Sequence, residues 1–300
     1  MPFTADTPTV LDGGLSNQLA AAGHDLSDRL WSARLLRDDP DAILAAHRAY
    51  YEAGADIATT ASYQASTLGF GDETPDLLRL SVRLARQASF QADVDDRRLW
   101  VAASVGPYGA VLADGSEYRG RYGLTVRELV DFHWPRIDAL ASASPDVLAL
   151  ETIPDLDEAE ALLTIIAGSG MPAWLSYSVD GSTTRAGQPL ADAFALVRDV
   201  PEILAVGVNC CDPLDATAAV PLAAAVSGKP VVVYPNSGEG WDPATRSWDG
   251  RPTFSPSAVP TWIRDGATLV GGCCQLGPAD ITAIAHELSP GESRSGTHRM

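Results

Sequence analysis

The only four cysteines of the chain fall in two vicinal pairs, Cys210-Cys211 and Cys273-Cys274. The first pair follows Gly207-Val208-Asn209 at the end of an apolar, strand-like run (203–208). The second follows Gly271-Gly272 after a similar run (268–270). Thiolates brought in from two strand ends can converge on one soft cation, and Zn2+ is the usual occupant of a sulfur-rich site. Three thiolates with a fourth position left open suit a metal that binds and activates an incoming thiol. A single buried cysteine is more often a small apolar residue than a ligand. The recurrence of the pair at a second strand end is what turns the reading toward a metal. Vicinal pairs also make a poor disulfide framework, so they read as reduced ligands in a cytoplasmic protein.

Other apolar runs also end in polar groups: Asp12-Gly13-Gly14, Thr60-Ala61-Ser62-Tyr63-Gln64, Ser104-Val105-Gly106-Pro107-Tyr108-Gly109, Glu151-Thr152 and Tyr234-Pro235-Asn236. Glu151 follows Val147-Leu148-Ala149-Leu150, where a carboxylate is costly to bury without a cationic partner. That partner is either a substrate cation or a structural ion pair. Asp12 reads as a turn residue or as part of a site, and Gly13 and Gly14 can expose backbone N–H groups to a carboxylate. Tyr108 and Tyr234 suit core packing and pocket lining equally. None of the histidines (His24, His47, His133, His286, His298) ends a strand-like run, so they read as structural.

The elements that must position these groups are legible as an alternation. Strand-like runs occur at 9–12, 56–62, 99–105, 147–153, 173–179, 204–209, 230–235 and 268–272. Amphipathic stretches lie between and after them, at 41–53, 75–92, 125–143, 156–167, 190–198, 213–226, 255–265 and 278–288. Near-continuous apolar strands imply a parallel sheet covered on its faces. Eight strand–helix units predict a single (β/α)8 TIM-type barrel over residues 1–288, with active residues at the C-terminal ends of the strands. A doubly wound open sheet is the alternative, weakened because no strand opens into Gly-x-Gly-x-x-Gly. Asp39-Pro40-Asp41 and Gly277-Pro278 mark helix starts. Residues 289–300 are polar and read as a disordered tail.

With 300 residues and 46% hydrophobic content the chain is ample for one barrel. A net charge of −18 argues against a nucleic-acid partner, which requires a basic footprint. No apolar run approaches the ~18 residues of a membrane span. Residues 1–6 show neither the basic nor the apolar segment of a signal peptide.

The ordered motifs resemble the homocysteine S-methyltransferase family from about residue 10 to residue 288. They are Leu11-Asp12-Gly13-Gly14-Leu15, Thr60-Ala61-Ser62-Tyr63-Gln64-Ala65-Ser66, Ser104-Val105-Gly106-Pro107-Tyr108-Gly109-Ala110 and Leu112-Ala113-Asp114-Gly115-Ser116-Glu117-Tyr118-Arg119-Gly120. Glu151-Thr152-Ile153-Pro154, Gly207-Val208-Asn209-Cys210, Val233-Tyr234-Pro235-Asn236-Ser237-Gly238-Glu239 and Gly271-Gly272-Cys273-Cys274 complete the set. The Ser-Tyr-Gln-Ala-Ser and Ala-Asp-Gly-Ser-Glu-Tyr stretches are similar to members using S-methylmethionine or S-adenosylmethionine rather than betaine. Cys211 and Gln275 depart from the family pattern.

The resemblance implies a zinc enzyme that methylates homocysteine to methionine. Cys210, Cys273 and Cys274 would hold Zn2+. Asp12 and Glu151 would meet the homocysteine ammonium, and Gly13 and Gly14 its carboxylate. Tyr63 and Tyr108 would line the donor side, and Thr60, Asn209 and Tyr234 would complete the substrate contacts. Cys211 would be the spare thiol, pointing away if Cys210 faces the mouth, and Gly271-Gly272 would relax the backbone so that both following thiols reach one metal. The partners implied are small molecules and not a membrane; an oligomeric partner is not implied. A betaine-type or other thiol methyltransferase, a zinc hydrolase on the same barrel and a zinc-storage or redox protein are the alternatives.

Overall fold

A computed structural model describes residues 7–28, 30–94, 96–242 and 247–289. The readings of the first six residues and of the tail beyond 289 lie outside them. Eight parallel strands form the core: β1 Thr9–Val10, β2 Ile57–Thr59, β3 Trp100–Val105, β4 Val147–Ile153, β5 Ala173–Tyr177, β6 Ile203–Asn209, β7 Val231–Tyr234 and β8 Ala267–Val270. Each pairs with its sequence neighbour, β1 pairs with β8, and a parallel bridge from Leu11 to Ile57 joins β1 to β2. The Asp12 N–H donates to the Ile57 carbonyl at 3.0 Å across that seam. The ring is a (β/α)8 barrel, as the alternation predicts.

The covering helices are α1 Pro40–Glu52, α2 Thr74–Gln91, α3 Val126–Ala141, α4 Leu156–Ile166, α5 Leu190–Ala195, α6 Pro213–Ser227, α7 Val259–Arg264 and α8 Pro278–Leu288. Asp39 caps α1 by accepting the Ala42 N–H at 3.2 Å, with Pro40 in the first turn. At α8 the glycine has no side chain to cap with; Asp280 reaches back to accept the Gly277 N–H at 2.9 Å instead. No helix among the described residues is long and apolar enough to cross a membrane.

Alternation along the strands builds two apolar layers. Leu11, Ile57, Ala102, Val147, Ala149, Trp174, Ala205, Val232 and Leu269 fill the barrel interior. Val101, Leu148, Leu150, Leu175, Val206, Val208 and Val233 face the helices. Trp174 takes much of the interior, and the β6 residues facing inward are correspondingly small. A Cβ at Gly207 would lie 1.8 Å from the Val232 carbonyl oxygen.

Segments outside the strand–helix alternation gather at the C-terminal mouth. Helices Leu15–Ala21 and Trp31–Asp38 separate β1 from α1, and Tyr108–Leu112 with the turn Ser116–Tyr118 follows β3. Hairpins pair Val179–Asp180 with Thr183–Thr184 and Gly240–Asp242 with Ser247–Asp249.

Candidate active site

Regular alternation at the end of β6 would send Asn209 inward and Cys210 out toward the helices. Cys210 instead has a φ of 52°, the left-handed region that non-glycine residues enter at a cost of about 1–3 kcal/mol. Asn209 and Cys210 therefore both face the mouth, and Cys211 is fully buried in the layer against the helices. Cys211 points away as expected, but through this turn of the backbone rather than simple alternation.

After β8, Gly271 and Gly272 do not take positive φ values. Their role is close approach. A Cβ on Gly271 would lie 2.6 Å from Leu11 Cβ, and one on Gly272 2.7 Å from Leu276 Cβ. The following backbone is held by the Cys273 N–H donating to the Pro235 carbonyl at 2.8 Å and the Cys274 N–H to Asn236 Oδ1 at 3.1 Å.

These two strand ends bring three sulfurs together. Cys274 Sγ lies 3.7 Å from Cys210 Sγ and 3.9 Å from Cys273 Sγ, with all three within 4.8 Å of one another. Tetrahedral zinc with Zn–S bonds of about 2.3 Å spaces its sulfurs about 3.8 Å apart. The trio thus fits three vertices of a zinc tetrahedron and leaves the fourth free for an incoming ligand. Hydrogen bonds from the Cys273 and Cys274 thiols hold the Cys210 thiol below its ordinary pKa, helped by the Tyr118 hydroxyl at 3.2 Å and the charge of Arg185.

Buried carboxyls line the same cavity as the sulfurs. Asp12 accepts the Thr59 N–H at 2.7 Å and the Thr59 hydroxyl at 2.9 Å, and burial raises its pKa to about 8. Glu151 accepts from the Ser104 hydroxyl and, at 3.0 Å, from the Tyr234 hydroxyl; burial raises it to about 7. Glu117 is also raised to about 7, by burial first and then by the charges of Cys210 and Asp114. Each shift follows from desolvation of the charged form.

A polar network fixes this wall. The Tyr234 hydroxyl lies 2.7 Å from Ser176 Oγ and accepts the Trp174 indole N–H at 3.0 Å. Ser176 donates to Asn209 Oδ1 at 2.8 Å, which also accepts the Thr152 N–H. Thr152 has a φ of 62°, at a register shift in β4. That irregularity turns consecutive residues, Glu151 and Thr152, to the same cavity.

The mouth cavity gathers Asp12, Gly13, Gly14, Thr60, Tyr63, Glu151, Asn209, Tyr234 and the three cysteines. Two expectations are corrected. Tyr108 lies outside it, its ring packed on Tyr122 (centroids 5.4 Å apart) and Phe132 (4.9 Å). The Gly14 N–H donates to the Leu276 carbonyl at 2.9 Å and does not face the cavity as a free donor. Gly13 and Gly14 are required by packing, since a Cβ at Gly13 would lie 2.4 Å from that same carbonyl oxygen.

Glu117 and Tyr118 also line the cavity, yet the reading by strand ends passed over them. They sit in a loop turn well past β3, and the only signal was the Asp-Gly-Ser-Glu-Tyr motif itself. Arg136 on α3 was missed as well. Its guanidinium, buried, donates to the carbonyls of Tyr63 (2.9 Å), Ala65 (3.0 Å) and Gly106 (2.9 Å), pinning the loops after β2 and β3.

Residues 9–288 match the model of a family described as homocysteine S-methyltransferase. The chain belongs to this family. It is 41% identical to homocysteine S-methyltransferase YbgG of Bacillus subtilis, over 92% of this chain and 93% of that one. It is 40% identical to selenocysteine Se-methyltransferase of Brassica oleracea var. italica, over 93% and 88%. Among solved structures, the metallated form of the homocysteine methyltransferase MmuM from Escherichia coli superposes with a TM-score of 0.85 at 39% identity, covering 94% of this chain and 96% of that one. Membership in the homocysteine S-methyltransferase family and the barrel both agree with the sequence reading.

Proposed function

We propose that this protein transfers a methyl group from a sulfonium donor, S-methylmethionine or S-adenosylmethionine, to the thiol of homocysteine. The observation that carries this is the three-thiol group at tetrahedral spacing, facing a cavity with buried carboxyls and, among the described residues, no lysine or arginine in its lining. Cys210, Cys273 and Cys274 would hold Zn2+, which when bound makes a coordinated substrate thiol a thiolate at neutral pH. The protein's own residues bind and orient. Asp12 and Glu151 would receive the homocysteine ammonium, and the network from Tyr234 to Asn209 keeps Glu151 aimed at it. Tyr63 and Tyr118 present aromatic faces suited to a sulfonium cation.

In the transfer a new S–CH3 bond forms on homocysteine sulfur. The donor's S–CH3 bond breaks, and its electron pair leaves with a neutral thioether. No general acid is required, which agrees with a cavity lined by no histidine among the described residues. A zinc hydrolase reading finds no such support. A reducing cytoplasm would keep the three thiols available.

The decisive experiment offers homocysteine with S-methylmethionine, S-adenosylmethionine and betaine side by side, with zinc content measured on the same preparation. We expect methionine by mass spectrometry from a sulfonium donor and about one zinc per chain. Methionine from betaine alone, or from no donor, would overturn the proposal, as would full activity in a zinc-free preparation.

A further inference from the structure

Among the described residues, the three carboxyls that line the cavity are not equally satisfied. Asp12 is bonded twice to Thr59, and Glu151 to Ser104 and Tyr234. Glu117 is only 8% exposed and lines the cavity, yet its Oε2 has no hydrogen-bond partner. A buried acceptor left unpaired is costly, and at a cavity wall that cost is removed by a ligand that donates.

The backbone that carries this carboxyl is fixed. Its turn, Ser116–Tyr118, is closed by the Tyr118 N–H on the Gly115 carbonyl (3.0 Å) and the Gly120 N–H on the Ser116 carbonyl (2.9 Å). Gly109 packs so closely beneath that a Cβ there would lie 2.5 Å from the Glu117 nitrogen. Arg119, two residues on, donates to Ser116 Oγ at 2.8 Å. Arg185, across the turn, lies over the Tyr118 ring, 5.6 Å from its centroid. The next residue, Tyr118, reaches Cys210 Sγ at 3.2 Å, so Glu117 stands beside the thiol group but on the wall built by the β3 loop. Asp12 and Glu151 come instead from the ends of β1 and β4.

The chemistry of the missing partner follows from the orphan oxygen. A sulfonium centre carries a charge but no N–H, so it leaves a hydrogen-bond acceptor unpaired. An ammonium group supplies both charge and donor. Resting on the methyl-transfer reading above, we propose that Glu117 receives the α-ammonium group of an amino-acid methyl donor and so selects sulfonium amino acids over methyl donors without an N–H.

The test uses the zinc-loaded full chain and the near-isosteric Glu117→Gln. Loss of a charge-assisted hydrogen bond should raise KM for S-methylmethionine about tenfold or more, with KM for homocysteine changed less than about twofold. Zinc content should stay the same, which also certifies the fold. The inhibition constant of 3-dimethylsulfoniopropionate, a sulfonium without an ammonium, should not change. On the unaltered enzyme, N-acetyl-S-methylmethionine should be as poor a donor as S-methylmethionine is with Glu117→Gln, a readout independent of how the variant folds. Equal weakening of both sulfonium compounds, a rise confined to homocysteine, no change in the donor KM, or efficient use of the acetylated donor would each overturn the proposal. Should the unaltered enzyme make no methionine from any donor, the methyl-transfer reading fails instead, and calorimetric binding of S-methylmethionine to the two proteins still decides the role of Glu117.

Discussion

Cys210 faces the other thiols only because its backbone takes a conformation that side chains rarely adopt. Its neighbour Cys211 is packed among apolar residues, and burial pushes that thiol well up. The two should therefore behave oppositely on substitution. Serine at 210, 273 or 274 should remove zinc and methyl transfer together. Cys211→Ala should keep both and cost about 1 kcal/mol of packing. Zinc stoichiometry and methionine formation across the four variants check this, and metal loss in Cys211→Ala with retention in Cys210→Ser would reverse the assignment. Glu151→Gln keeps the shape of the wall and removes a charge. We expect KM for homocysteine to rise about tenfold with zinc retained. An unchanged KM would leave Glu151 a purely structural partner of Ser104 and Tyr234.

At the scale of elements, the cavity is shaped by irregular strand ends and by one helix that reaches over them. The shift at Thr152 lets β4 present two consecutive residues to the mouth. Helix α3 contributes Arg136, whose buried guanidinium holds the three loop carbonyls while His133 on the same helix meets Glu158 of α4 at 2.8 Å. Burial lowers the Arg136 pKa to about 10, still far above neutrality, so the clamp stays charged. Replacing it with methionine leaves three buried carbonyls without donors. We expect a loss of about 3–5 kcal/mol, with faster hydrogen exchange in the loops at 63–66 and 106–109. Denaturant titration measures the first effect. A loss below about 1 kcal/mol would show that the loops are held by packing alone.

For the whole molecule, buried carboxyls make stability fall with rising pH. Asp12 is raised to about 8 and Glu117 and Glu151 to about 7, each chiefly by burial. Unfolded carboxyls titrate near 4, so between about pH 4 and pH 8 the folded protein holds protons that the unfolded chain has released. Stability present below pH 4 is lost as pH rises through the folded values, at up to about 1.4 kcal/mol per pH unit for each group. Metal-free, substrate-free protein should melt at a lower temperature at pH 8 than at pH 5.5, and Asp12→Asn should flatten that slope. Melting curves with the same slope in both proteins would remove Asp12 from the account. The net charge of −18 adds self-repulsion of the same sign, which is why the comparison between the two proteins is the informative one.

The chain's eight apolar runs were sufficient for the barrel, because burial of a parallel strand on both faces writes a local signature into its residues. The thiols, Asp12 and Glu151 were legible as well, since each closes such a run and a barrel gathers its strand ends at one mouth. Other features arise where distant segments meet. The turn at Cys210 and the shift at Thr152 break the alternation that sequence periodicity assumes. Tyr108 looked like a cavity residue by its place after β3, but Tyr122 and Phe132 offered its ring an apolar bed, and Tyr118 entered the cavity instead. Gly14 looked like a free N–H donor until Leu276, brought alongside by the β8 loop, took that hydrogen bond. Glu117 became notable only once its surroundings showed an acceptor with nothing to accept. Residue type and local period determine which groups are offered at the mouth; the packing of one loop on another decides which way each of them points.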